Sequence, residues 1–211
     1  AIMEVKSSMG VIVAAPTAGS CGAMPGAVLA VADVLGSDED ATLRALLIAG
    51  LIGVFIARDA TFAAEEGGCM AECGSGSAMA AAAMVYLQGG TSAQSLAAAS
   101  MALQNNLGMI CDPVANRVEA PCLGRNVMAA TNALACANMA LGGYEHLVPL
   151  DEVIRAMNEV AEAMPREHCC TALGGLSVTP TSKRIAGELA SGGCSRCAPE
   201  AVTTEASVPT E

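Results

Sequence analysis

The stretch AMAAAAMVYLQ, residues 78–88, decides the fold class, because nearly all of its residues are apolar and favour a helix. Alanine and methionine are among the stronger helix formers. Small alanine side chains also let neighbouring helices approach closely, and methionine fills the irregular gaps between them. The composition agrees, since 53% of the residues are hydrophobic while only 2% are aromatic. We therefore predict a helix that is buried among other helices.

Helix signals continue on both sides of this stretch. Gly36 has the position of a helix C-cap, and Thr91 has that of an N-cap. No segment alternates apolar and polar residues with the period of a strand, so we predict an all-α fold. The further helices are predicted over residues 27–36, 38–64, 92–106, 125–141 and 149–164.

The chain of 211 residues has a length typical of a single domain. We expect a helical domain over residues 1–189. The remainder, 190–211, has no apolar period, and we expect it to be a flexible tail. The sequence opens at AIMEVKSSMG without an initiating methionine, so we expect that an N-terminal part is missing.

Charge and hydropathy restrict the partners. The net charge of −11 argues against nucleic acid, because phosphate binding requires clustered Lys and Arg. A membrane span requires about 18 or more apolar residues with few charges. Arg44 and Arg58 interrupt the apolar stretch 41–64, so we predict no membrane span. Small molecules are the expected ligands.

The ten cysteines are many for a chain without a secretory signal, and this pattern favours metal binding or catalysis over disulfides. Cys69, Cys111 and Cys122 lie in turns rich in Gly or Pro, where thiolates can converge without helical spacing. Thiolates are the usual ligands of iron-sulfur clusters. Three of them would leave one iron of a four-iron cluster open to act as a Lewis acid. The alternative is that these thiols are simply buried in turns.

The segment PTAGSCG, residues 16–22, is a second candidate site. Small residues ahead of a helix expose N–H groups and hydroxyls that suit an anion such as a carboxylate. An ordinary turn in which Pro25 opens the helix is an equal alternative.

Four segments in order resemble the alpha chain, or catalytic domain, of bacterial iron-sulfur-dependent L-serine dehydratases. They are VIVAAPTAGSCGAMPG, GGCMAECGSGSAMA, CDPVANRVEAPCLGRN and ALGGLSVTPT, and the match covers residues 5–185. The resemblance implies an all-helical catalytic domain of a cytoplasmic lyase. This enzyme eliminates water from L-serine to give pyruvate and ammonia, a step of amino-acid degradation connected with gluconeogenesis.

The resemblance also implies roles for particular residues. Cys69, Cys111 and Cys122 would hold a [4Fe-4S] cluster whose fourth iron binds substrate. Thr17, Gly19 and Ser20 would bind the substrate carboxylate, with Ser8 nearby. From their position just after the third cysteine, and not from the resemblance, Arg125 and Asn126 are expected to orient the cluster or the substrate through hydrogen bonds. Capping of the next helix by Asn126 is an equal alternative. VKSSMG departs from the family pattern near Lys6, which leaves contacts of Lys6 and Ser7 open.

No residue of this chain is identified as the general base. His146 and His168 have the settings of surface or capping residues, and the resemblance places the base on a beta chain or N-terminal domain. We therefore expect such a partner and a homo- or hetero-oligomer.

The other cysteines receive smaller roles. Cys73 and Cys136 are expected to pack in the core, and Cys21 to line the site. Cys169 and Cys170 receive no role. Cys194 and Cys197 form a CxxC pair in the tail that is expected either to bind metal weakly or to guard the open iron.

Three other functions compete with this interpretation. A pyridoxal-phosphate dehydratase would need strands that the sequence does not predict. A cysteine desulfidase-like lyase of the same fold would bind a thiolate at the open iron. A non-catalytic iron-sulfur protein would normally close its cluster with four protein ligands.

Overall fold

The computed structural model describes residues 1–8, 10–11, 14–117 and 119–191, and of Ser7 only the backbone. In these ranges the chain forms helices and no β-strand, which confirms the all-α prediction. Short 3-10 or π turns cover Ala18–Ser20, Gly22–Gly26, Met70–Gly74, Arg166–His168 and Gly175–Val178. The α-helices are α1 (Ile2–Ser7), α2 (Ala27–Leu35), α3 (Glu39–Asp59), α4 (Ala64–Cys69), α5 (Ser75–Leu87), α6 (Ser92–Gln104), α7 (Glu119–Leu141), α8 (Leu150–Ala163) and α9 (Pro180–Ala190).

Helix α5 is the centre of the fold, as its sequence predicts. All of its residues from Ser75 to Val85 are buried, and Ala80–Ala83 have no exposed surface. It packs against α3, α6 and α7, which surround it. Alanine side chains are small enough for the axes of the neighbouring helices to come close to that of α5. The hydrophobic core is therefore wrapped around a helix that has no polar face.

The predicted helix ends are partly right. Gly36 ends α2 in the left-handed conformation, with φ of 65°, and Thr91 caps α6 in a capping box with Gln94. Ser37 has the capping-box spacing to Asp40 that predicts an N-cap, but the cap of α3 is Asp38, whose carboxylate accepts a hydrogen bond from the N–H of Ala41.

The predicted helix over 38–64 is too long at its C-terminal end. Helix α3 ends at Asp59, where Ala60 turns extended, and the chain starts the separate helix α4 at Ala64. The predicted helix over 125–141 is too short, because α7 already begins at Glu119. Both differences lie next to the cysteines, and they place Cys69 and Cys122 at helix ends.

Two segments, Ala18–Leu35 and Glu39–Asp59, are long and apolar enough to cross a membrane by length and composition alone. From the sequence, we excluded the second segment because of Arg44 and Arg58. By length and composition it nevertheless qualifies, with a mean hydropathy of 1.9. Core helices of soluble proteins pass the same test, so this is weak evidence. One face of α3, including Ile52 and Ile56, is buried against α5. That no segment spans a membrane stays a prediction.

The expected flexible tail, 190–211, begins where α9 ends at Ala190. From residue 192 onward, including Cys194 and Cys197, it lies outside the described residues. The domain boundary at 189 therefore stays a prediction.

Candidate active site

Three cysteines from separate segments meet in one buried place, which we call the thiol site (Cys69, Cys111 and Cys122). Cys69 ends α4, Cys111 follows α6 in an extended loop, and Cys122 lies in the first turn of α7. They are 0%, 2% and 4% exposed and belong to one packed cluster. The Cys69 side chain lies close enough to the thiols of Cys111 and Cys122 for both to influence its pKa. The structure thus brings the three predicted thiols together, while their role as iron ligands stays a prediction.

Close backbone contact brings Cys69 to the segment before Cys111. Gly68 has φ of +64°, and a β-carbon there would lie 2.6 Å from the carbonyl oxygen of Met109. The N–H of Met70 donates to the same carbonyl at 2.9 Å. Only glycine combines this φ with so close an approach. Gly68 therefore lets the segment of Cys69 lie directly against the segment that leads to Cys111.

Cys111 is fixed from the other side by the segment 168–170. Its N–H donates to the carbonyl of His168 at 2.8 Å, and its own carbonyl accepts from the N–H of Cys170 at 3.0 Å. The thiol of Cys169 donates to the carbonyl of Glu66, just before GGC. Segment 168–170 therefore connects the loop of Cys111 to helix α4.

An ion pair lies against the thiol site. Arg125 donates to Asp112 at 2.6 Å, to the carbonyl of Ile110 at 2.9 Å and to the sulfur of Cys69 at 3.4 Å. The second oxygen of Asp112 accepts from the N–H of Leu176 at 2.7 Å. Burial by itself would lower the pKa of Arg125, but the Cys69 thiolate and Asp112 raise it. The result is a fixed cation beside the sulfurs.

The thiols differ in their tendency to ionise. Hydrogen bonds from Cys111, Cys122 and Cys73, helped by Arg125, lower the pKa of Cys69 far below its usual range. The pKa of Cys111 is raised, first by its hydrogen bonds to Cys122 and Cys69 and then by burial. The pKa of Cys73 is raised by its hydrogen bond to Cys69 and by burial. The set therefore favours one thiolate, on Cys69, surrounded by thiol donors.

Thiols on separate segments are the type of ligand that holds iron-sulfur clusters. Among the described residues, no group of three or more His, Cys, Asp or Glu side chains is arranged to hold one ion. In a four-iron cluster each thiolate binds a different iron, so the sulfurs need not converge on one point. Three thiols on separate segments, excluded from water and next to a cation, are suited to such an anionic group.

The predicted carboxylate-binding segment, residues 17–20 (the TAGS loop), lies next to the thiol site. The hydroxyls of Thr17 and Ser20 are 3.1 Å apart, and the Lys6 ammonium donates to the carbonyl of Ala18 at 3.1 Å. The thiol of Cys73 contacts the carbonyl of Gly19 at 3.9 Å. Two hydroxyls and a cation are thus gathered in one half-buried turn.

Asn126 connects the TAGS loop to the thiol site. Its amide nitrogen donates to the carbonyls of Gly19 at 2.7 Å and Cys122 at 2.9 Å, and its oxygen accepts from the N–H of Ala23 at 2.9 Å. Asn126 therefore positions the loop, and its predicted contact with substrate stays a prediction. The alternative that it caps a helix is wrong, because it lies inside α7.

Other predicted residues take varied places. Ser8 is exposed just after α1, and its part in substrate binding stays a prediction. Cys73 is fully buried but touches both Cys69 and the TAGS loop, so it is more than core packing. Cys136 is buried in α7 as expected. Cys169 and Cys170 are free thiols.

Sequence reasoning gave no function to Asp112, to Glu72 or to the GGLSV motif. The structure joins the motif to the cysteine loop: Leu176 binds Asp112, and the hydroxyl of Ser177 donates to the carbonyl of Pro113 at 2.8 Å. The sequence did contain a signal for two of them. Asp112 directly follows Cys111, and Glu72 lies between Cys69 and Cys73.

Comparison with known proteins identifies the family of this chain. The family model described as serine dehydratase alpha chain matches residues 1–177. The probable L-serine dehydratase alpha chain of Latilactobacillus sakei is 50% identical over 178 residues, which are 84% of this chain and 85% of that one. The L-serine dehydratase alpha chain of Peptoniphilus asaccharolyticus is 49% identical over 182 residues, 86% of this chain and 62% of that one. The L-serine dehydratase of Streptomyces coelicolor is 41% identical over 180 residues, 84% of this chain but 40% of that one.

The fold and these relatives define the class: the chain is an all-α protein whose matched relatives are named as L-serine dehydratases or their alpha chains. More closely, the chain belongs to the serine dehydratase alpha chain family. It spans about three-fifths of some relatives and two-fifths of others.

Proposed function

We propose that this chain, together with a partner chain or domain, eliminates water from L-serine to give pyruvate and ammonia in the cytoplasm. The observation that carries the proposal is the meeting of three buried thiols beside a turn that holds two hydroxyls and a cation. The names of the relatives support the same reaction. In the cell it would belong to amino-acid degradation and supply gluconeogenesis.

We propose further that Cys69, Cys111 and Cys122 hold a [4Fe-4S] cluster. When bound, that group supplies a Lewis acid for the departure of a poor leaving group, hydroxide. The residues around the three thiols are suited to binding this cluster. Hydrogen bonds from the neighbouring thiols and the charge of Arg125 lower the pKa of Cys69, which is the direction that a thiolate ligand requires. Arg125 offsets the negative charge of the sulfurs, and burial excludes water from them.

The TAGS loop has the groups to bind and orient the substrate carboxylate. The hydroxyls of Thr17 and Ser20 are suitable donors, and the Lys6 ammonium adds a positive charge. Asn126 fixes the distance between this loop and Cys122 through its three hydrogen bonds. A substrate whose carboxylate is bound on the loop would therefore lie next to the thiol site.

A general base is still required to remove the α-proton. His146 lies near the start of α8, where it lines a cavity with Phe55 and Leu150 that includes none of the three thiols. We propose that the base comes from a beta chain or another domain, consistent with the alpha chain names of the relatives. An exposed apolar stripe on α3 (Leu43, Leu47, Leu51 and Val54) is a surface on which an oligomer can form.

The test is iron and sulfide analysis of Cys69→Ser, Cys111→Ser and Cys122→Ser, purified without oxygen. We expect each variant to lose most of its iron and all serine turnover, because a cluster held by three thiolates cannot spare one. Cys136→Ser is the matched control, since Cys136 is equally buried but lies among Asn105 and Asn132 in another part of the core.

Wild-type iron content in any of the three site variants would contradict the proposed ligand set. Pyruvate release from L-serine, L-threonine and L-cysteine should be compared on the same wild-type preparation. A clear preference for L-cysteine would replace the dehydratase with a desulfidase-like lyase. Full turnover by the isolated 211-residue chain would contradict the proposed partner.

A further inference from the structure

The side chain of Glu72 lies between the two halves of the site. Glu72 belongs to the turn Met70–Gly74, three residues after Cys69. Its carboxylate lies directly against Gly19, where a β-carbon would be 2.7 Å from Glu72 Cδ. The Thr17 side chain is also close enough to this carboxylate to influence its pKa. A side chain on residue 19 would displace this carboxylate from the TAGS loop, and glycine leaves room for it.

Glu72 has no ion-pair partner among the residues that the structure describes. The nearby Arg125 forms its salt bridge with Asp112. The ammonium of Lys6 donates its hydrogen bond to the carbonyl of Ala18. Burial raises the pKa of Glu72, while the hydrogen bond from Thr17 and the charge of Lys6 lower it only in part. A half-buried carboxylate in this situation gains free energy when a cation arrives.

The proposed substrate brings such a cation. L-Serine has three polar groups, and the proposed function directs its carboxylate to the TAGS loop and its hydroxyl toward the thiol site. The third group, the α-ammonium, needs an acceptor with negative charge between those two places. We infer that the carboxylate of Glu72 binds the α-ammonium of the substrate, and this inference rests on the proposed function.

The other acids near the site are less suitable. Both oxygens of Asp112 are engaged, one with Arg125 and the other with the N–H of Leu176. Glu65 and Glu66 are exposed on α4. Glu72 is therefore the acid that both touches the TAGS loop and has its charge uncompensated. It would select amino acids over hydroxy acids of the same shape.

The experiment compares L-serine with L-glycerate, in which a hydroxyl replaces the ammonium. It uses the complete enzyme with its partner and the variants Glu72→Gln and Glu72→Asp. Glu65→Gln is the matched control, because it removes a nearby charge that does not contact the loop. We measure kcat and KM for L-serine, the inhibition constant of L-glycerate, and iron content to verify that the site is intact.

We expect Glu72→Gln to raise KM for L-serine by about a hundredfold, toward the lower end of the effect of removing one partner of a buried charge pair, because Glu72 is half-buried. Inhibition by L-glycerate should be unchanged, and Glu65→Gln should resemble the wild type. Glu72→Asp keeps the charge at a greater distance, and a KM raised by about tenfold is expected. If Glu72→Gln does not fold, the Asp variant alone tests the same selective loss.

Equal weakening of L-serine and L-glycerate would mean that Glu72 only shapes the loop, and it would overturn the inference. So would unchanged binding of L-serine. A wild-type enzyme without serine turnover is a different failure, because it contradicts the proposed function. Calorimetric binding of L-serine and L-glycerate to wild type and Glu72→Gln would then still decide the role of Glu72.

Discussion

The core around α5 and the thiol site are equally buried, but they are built in different ways. Helix α5 is formed by its own residues, and its alanines pack against neighbours by shape alone. The thiol site is held by directed bonds between distant segments, such as Cys111 to His168 and Asp112 to Leu176. In an apolar core, a small change in side-chain size costs a correspondingly small amount of stability. A buried polar group that loses its hydrogen-bond partner costs the full free energy of its desolvation.

The largest effect is expected where this difference is sharpest, at Asp112. Its side chain is 3% exposed, and that of Arg125 is 17% exposed. We expect Asp112→Ala to lower the free energy of unfolding by as much as about 3–5 kcal/mol, the range for a broken buried pair, because it removes the carboxylate that pairs with the partly buried Arg125. Urea denaturation measures this change. The N–H of Leu176 also loses its acceptor, so the cysteine loop should loosen and iron content fall.

Asp151→Ala is the matched control for the ion pair. Asp151 and Arg155 form a pair on α8 whose side chains are 60% and 59% exposed. Exposed pairs at this spacing contribute about 0.3–0.5 kcal/mol. If the two variants were destabilised equally, the contrast between the directed bonds of the site and ordinary surface pairs would be lost.

An intermediate effect is expected from overfilling the core. Ala82 has no exposed surface, so Ala82→Leu forces α5 away from its neighbours at a cost of about 1–3 kcal/mol. The same change at the exposed Ala57 of α3 should alter stability by less than about 0.5 kcal/mol. Folded Ala82→Leu protein should keep its iron. If Ala82→Leu lost iron without losing stability, the packing around α5 and the thiol site would not be independent.

The sequence predicted the core far better than the site. The helix at 78–88, its burial and the caps at Gly36 and Thr91 depend on local residue preferences, and these predictions are confirmed. The end of α3 at Asp59 was missed, because no proline or glycine marks it and the extended turn at Ala60 depends on tertiary contacts.

For the site, the cysteines in turns and the TAGS loop could be picked out from residue type and spacing. Their partners could not. Asp112 and Glu72 are common acids in the sequence, and only folding shows that one has a buried arginine beside it and the other lies against Gly19. The role of Asn126 could not be predicted either. It lies inside a helix, and its hydrogen bonds to Gly19 and Ala23 join segments about a hundred residues apart.

The smallest effect tests whether the two regions are independent. Thr91→Ala removes the side chain that accepts from the N–H of Gln94 at the start of α6, and such a cap contributes about 1 kcal/mol. Thr91→Ser, which keeps the hydroxyl, should restore the stability measured by urea denaturation. Iron content should stay at the wild-type level in both variants. The opposite end of α6 reaches α7 through the hydrogen bond of Asn105 with Asn132, at 2.7 Å. If weakening the cap did lower iron content, the disturbance would have passed along α6 into α7, which positions Cys122, and the core and the site would have to be treated as one cooperative unit.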